Sequence, residues 1–141
     1  MRFLRFRTMA IVPLVITALV ACSPDISVEL YNNSSDRLMI TGCKEPAYVE
    51  PRSTVELGSI YSCSAQVKIA GPTSTWHYPV RIPGQPYVHE ERLPFFKWRL
   101  LVRLQVNSDH RILAVPVGSS FPITDDTPQP ASYPLSGEAE A

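Results

Sequence analysis

The longest regular alternation of apolar and polar residues in the chain is FFKWRLLVRLQV, at 95–106. Phe96, Trp98, Leu100, Val102, Leu104 and Val106 fall on one side of an extended strand, and Lys97, Arg99, Arg103 and Gln105 on the other. A 3.6-residue period would scatter the arginines around a cylinder, so the pattern predicts a strand and not a helix. After the turn residues Asn107-Ser108-Asp109-His110 comes RILAVPV. Pairing Val106 with Arg111 then sets Leu104 against Leu113 and Val102 against Val115, one apolar face throughout.

Two more hairpins are expected on the same test. ISVELY and RLMITG flank the turn-rich NNSSD, and pairing Tyr31 with Arg37 sets Leu30 opposite Leu38 and Val28 opposite Ile40. CSAQVKI and WHYPVRI flank AGPTST, and pairing Ile69 with Trp76 sets Val67 against Tyr78, Ala65 against Val80 and Cys63 against Ile82. Pro79 has no N–H for the ladder, which points to a sheet edge or a bulge there. STVEL and PYVHE add shorter strands. The expected fold is all-β, a small antiparallel β-sandwich or barrel of about seven to eight strands.

Composition sharpens the boundaries. Of the 14 prolines, all but Pro13 lie beyond residue 21 and leave little room for a helix of three turns. The β domain is expected at 26–121. Residues 122–141 read as a Pro-rich extended tail, with SGEAEA at its end disordered.

The N-terminus has the parts of an export signal. Three arginines in MRFLRFR precede the uncharged run TMAIVPLVITALVA, which Pro13 interrupts and which falls short of the roughly 20 apolar residues that cross a bilayer as a helix. Its end, Leu19-Val20-Ala21-Cys22, resembles the lipobox of bacterial lipoproteins. The resemblance implies a signal peptide at 1–21, cleavage before Cys22, a thioether-linked diacylglycerol on Cys22, and fatty acylation (palmitate-type) of the new amino terminus. Residues 22–25 would be a lipidated tether. Three acyl chains exceed the two signals that stable anchoring requires. Among similar lipoproteins aspartate after the cysteine favours the inner membrane, so Ser23 implies the outer membrane, facing the periplasm. Beyond this signal, the remaining domain resembles no family by its motifs.

Cysteine and charge follow from that address. With Cys22 acylated, Cys43 and Cys63 remain, and an oxidising compartment favours pairing them. The closed loop would contribute about 3 kcal/mol in the chain-entropy model. A metal site or a free thiol are the alternatives, the first weakened by the lack of a histidine at ligand spacing. Removing Arg2, Arg5 and Arg7 from the 13 basic residues leaves fewer of them than the 13 acidic ones. A mildly acidic domain gives no sign of nucleic acid as a partner. Asn32-Asn33-Ser34-Ser35 contains glycosylation sequons, but in a bacterial chain it reads as a turn.

Candidate chemistry is sparse. His77, His89 and His110 share no ligand spacing, so no metal is expected. Glu90-Glu91 and Asp125-Asp126 would point to opposite sides of a strand and do not converge. No Gly-x-Ser-x-Gly turn activates a serine. No catalytic residue and no cofactor is assigned. Trp76, Tyr78 and Trp98 could form a sugar-binding platform, but the register puts all three on the apolar face, where packing is the expected role. The opposite face carries the cationic row Lys97, Arg99 and Arg103, with Phe95 and Leu101 beside it. Apolar groups within a charged patch are what a protein-binding surface shows. The expected function is therefore a membrane-anchored, non-catalytic binding module with a protein partner in the periplasm, of an assembly, immunity or inhibitor type. A glycan-binding lipoprotein is the alternative, ahead of an envelope hydrolase with a dispersed site.

Overall fold

The computed structural model describes residues 25–141, so the expected signal peptide at 1–21 and the expected lipidation site Cys22 lie outside the described residues. The described chain is a two-layer β-sandwich. One layer has the order β10-β9-β8-β1-β4, with β7 pairing alongside β8; the other runs β11-β6-β5-β2-β3. In sequence these are β1 (Ile26–Asn33), β2 (Leu38–Thr41), β3 (Ala47–Val49), β4 (Thr54–Ser59), β5 (Gln66–Ala70), β6 (Thr75–Pro79), β7 (Val88–Leu93), β8 (Lys97–Asn107), β9 (Arg111–Ala114), β10 (Leu135–Ser136) and β11 (Glu138–Ala139). Between the layers sit Leu30, Leu38, Ile40, Val49, Ile69, Tyr78, Val106, Ile112 and Leu135. A second apolar cluster, with Ile26, Val28, Ile60 and Val102, continues the core towards the start of β1.

The β5–β6 hairpin has the expected register, Ile69 opposite Trp76 and Val67 opposite Tyr78. Val80 N–H still donates to the Ala65 carbonyl beyond the strand end (3.1 Å). The disulfide is Cys43–Cys63, and it ties the β2–β3 connection to the end of the 3₁₀ turn Ile60–Ser62. Gly42 beside it has φ +104°, and a Cβ there would meet the Gln66 carbonyl oxygen at 2.9 Å. Only glycine suits that close approach.

Three expectations are corrected. First, β1 and β2 do not pair. β1 lies between β8, to which it is parallel (Ile26 opposite Leu100), and β4, to which it is antiparallel. The NNSSD segment is an arch between layers. Asn32 is fully buried, its amide donating to Asp36 O (2.7 Å) and Val49 O (3.2 Å) while its carbonyl accepts from Ser34 N–H (3.0 Å). This Asx turn carries the chain across the sandwich. Leu30 and Leu38 face the same core from opposite sheets, and alternation alone does not distinguish an arch from a hairpin.

Second, the β8–β9 register is one residue away from expectation, with Val106 opposite Ile112 and Leu104 opposite Ala114. His110 takes a left-handed conformation (φ 63°) and its N–H donates to Asn107 O (3.0 Å), so the turn absorbs the extra residue. Ile112 and Ala114 thus face the main core, while Leu113 and Val115 face outward and are buried by Ile123 and Phe121.

Third, the extended tail lies over the domain and ends in two short strands, in place of the disorder expected of SGEAEA. β10 pairs with β9 in one layer and β11 with β6 in the other. Two glutamines peg this segment down. Gln105 donates to Ile123 O (2.9 Å) and accepts from Ile123 N–H (2.8 Å); Gln129 does the same for Ala114 (2.9 and 2.7 Å). A side-chain amide offers the donor and acceptor of a peptide group, so each replaces a missing strand neighbour. The domain thus extends well past residue 121.

Candidate functional site

The β7–β8 hairpin projects from the end of the sandwich where β1 begins. Its strands pair from Val88 opposite Val102 to Leu93 opposite Lys97, leaving the three-residue loop Pro94-Phe95-Phe96. Phe95 is 91% exposed, Phe96 84% and Trp98 65%. Phe95 and Phe96 both have left-handed backbones (φ 64° and 59°). Bulky side chains in that region cost about 1–2 kcal/mol per residue, and asparagine or glycine is the ordinary occupant. The loop therefore holds two phenylalanines in water, at a backbone conformation that disfavours them. The Arg92 guanidinium lies over both the Phe96 and the Trp98 ring, 5.7 Å from each centroid. Among the described residues neither Arg92 nor Lys97 makes an ion pair.

The expected binding row is divided by the structure. Phe95 and Lys97 are exposed at the tip. Arg99 is bound to two carboxylates, Glu91 (Nε to Oε2, 2.9 Å) and Glu56 (Nη1 to Oε1, 2.6 Å). The hydrogen bond that Arg99 donates to Glu91 is the largest influence holding that guanidinium's pKa above its usual value. Arg103 donates to Glu29 (3.0 Å) and Ser119 O (3.1 Å), and stacks over the Phe121 ring at 4.2 Å. Leu101 is buried, contrary to the exposure expected of it. Ser119 and Phe121, in the segment that follows β9, thus cover Arg103 on this outer face, while β7 and β4 supply the carboxylates that hold Arg99.

Trp98 is the second departure. It shares the inward side of β8 with Leu100 and Val102, yet the strand has run beyond the core by that point. Tyr78 is buried as expected and donates to His110 O (2.9 Å); Trp76 packs partly against the core and stacks on His110 at 4.2 Å. Sequence reasoning missed Phe96 and Arg92 as members of the tip. The signal available was Leu-Pro-Phe-Phe between two strands, a loop with no polar residue.

Other regions are closed on themselves. His89 bonds the Val115 carbonyl (3.0 Å), and His77 lies 3.9 Å from Glu140. Among the described residues no group of three His, Cys, Asp or Glu side chains could hold a metal ion. At the far end of β8, Asn107 joins Asn33 (3.0 Å), Gln105 (2.8 Å) and Asp125 (2.8 Å) in one satisfied network. The gap between the layers is a cavity of about 50 Å³ with an apolar lining that includes Val28, Leu57 and Tyr78. That is far below the ~300 Å³ of a small-molecule site. No family model matches the chain, and no curated protein or solved structure is significantly similar to it.

Proposed function

We propose that this chain is a lipid-anchored, non-catalytic binding module of the bacterial envelope, and that the β7–β8 tip is its contact element. One observation carries the reading: Phe95, Phe96 and Trp98 stand exposed together on a loop whose backbone disfavours two of them. Strain kept at a surface, with nothing in the fold gaining from it, is a mark of function. The lipobox-like Leu19–Cys22 supports the anchor, and the Cys43–Cys63 disulfide suits an exported domain. The contact surface expected at the row Lys97, Arg99 and Arg103 would move to Phe95, Phe96, Lys97 and Trp98.

Exposed Trp98 also favours a glycan reading, since sugars stack on such rings. The tip's neighbours argue against it. Arg92 and Lys97, cations without an ion-pair partner among the described residues, suit an anionic surface better than a neutral sugar.

A photoreactive residue at Phe95, irradiated in living cells, tests the reading. One dominant class of adduct, to membrane lipid or to a single protein, is expected and is identified by mass spectrometry. Glycan fragments alone would replace the reading with cell-wall binding, and no adduct at all would remove the tip as a contact element.

A further inference from the structure

We propose that the tip seats in the bilayer that carries the anchor, so that Phe95, Phe96 and Trp98 enter the lipid interface while Arg92 and Lys97 meet phosphate headgroups. This rests on the lipid-anchor reading and names the partner of the same site.

The parallel pairing of β1 with β8 supplies the geometry. Ile26 stands opposite Leu100, so both strands start at the same end of the sandwich. Cys22 precedes Ile26 by four residues, a reach of at most about 14 Å even when fully extended. Trp98 and Phe96 precede Leu100 by two and four residues, which carries the hairpin about 13 Å beyond it. The tip thus lies at the end of the sandwich from which the chain leads back to Cys22, and an acyl chain on Cys22 would be within short reach of it. An antiparallel β1 would have sent the anchor to the opposite end.

Composition at the tip matches an interface. Tryptophan with flanking basic residues is the set that lies at headgroup level, the rings in the apolar boundary and the cations among phosphates. Arg92 spans both roles, its guanidinium resting over Phe96 and Trp98. The carboxylate nearest the hairpin's end, Glu91, is already paired with Arg99. Elsewhere among the described residues the comparable cations are neutralised: Arg37 lies over the exposed Tyr48 ring but is paired with Glu50, and Arg111 is paired with Asp109 and Asp125.

The experiment uses the full-length protein purified from membranes and reconstituted in phosphatidylethanolamine–phosphatidylglycerol vesicles with brominated acyl chains. Trp98 emission should fall roughly twofold, as for a ring at the acyl boundary. Trp98→Phe reports the Trp76 signal alone, which should stay unquenched. The double variant F95N/F96G, whose residues suit the loop backbone, should remain folded and anchored while quenching of Trp98 disappears. Intact mass separates the two layers of the inference. Cys22 acylated with Trp98 unquenched overturns the seating and leaves the anchor standing. Cys22 without lipid overturns the anchor reading and the seating with it. A protein adduct as the dominant crosslink from Phe95 would also overturn the seating, in favour of a docking site.

Discussion

The two halves of β8 continue one alternation and lead opposite lives. From Leu104 to Asn107 both faces are covered, and Gln105 is fully buried because its amide takes the place of a backbone neighbour for Ile123. Around Trp98 neither face is covered, and the strand's largest side chain is 65% exposed. Alternation assigns a side chain to a face. Whether that face has a roof depends on where the other layer and the C-terminal segment stop. A polar residue deep inside and an aromatic one in water are both outside the reach of a period-2 pattern.

This contrast can be tested from the strongest perturbation downward. Alkali should act on the covered half most of all. Burial, then the negative charge of Asp109, raises the Tyr78 phenol from 10.0 to about 12, and burial also pushes Tyr133 upward. A phenol whose folded pKa exceeds its unfolded one contributes stability that is fully present below pH ~10 and drains away as pH rises through the folded value. Unfolding should therefore set in steeply between about pH 10 and 12. Tyr78→Phe should flatten that pH dependence in denaturant titrations.

Next comes Gln105→Ala, which strips both partners from the Ile123 peptide and one from Asn107. A loss of about 3 kcal/mol is expected from unsatisfied buried groups, read from urea midpoints. In the uncovered half the sign reverses. F95N/F96G should stabilise the domain by about 2 kcal/mol, since both residues suit a left-handed backbone. A loss of stability instead would show that the phenylalanines hold the loop together. Smallest of all, Trp98→Ala should move the midpoint by less than about 0.5 kcal/mol, as exposed substitutions do. A shift of about 3 kcal/mol or more, the scale of a packed ring, would place Trp98 in the core after all.

Much of the fold was legible where a segment had one wet and one dry face. β5 and β6 found their register because Lys68 and His77 marked the outside. RILAVPV carried no such mark, being buried on both sides by Ile123 and the main core, so its register slipped by one residue. β1 and β2 misled for a different reason, since the decisive group was a buried asparagine whose hydrogen bonds bend the chain between layers. The short β10 and β11 have no pattern of their own and are held by strands far away in sequence. At the candidate site, Phe95 and Lys97 were legible as an apolar group beside a charge. Leu101 was not, because the segment covering its face is remote in sequence.

β10 and β11, separated by Gly137 alone, belong to different layers, and a Cβ on Gly137 would lie 2.7 Å from the Tyr78 ring. A nascent chain that has not yet reached Leu135 has both halves of the sandwich without the clasp that joins them. Closure of the sandwich at this edge therefore waits on residues 135–139. Copies interrupted before that point would keep β6 and β9 unclasped and open to proteases.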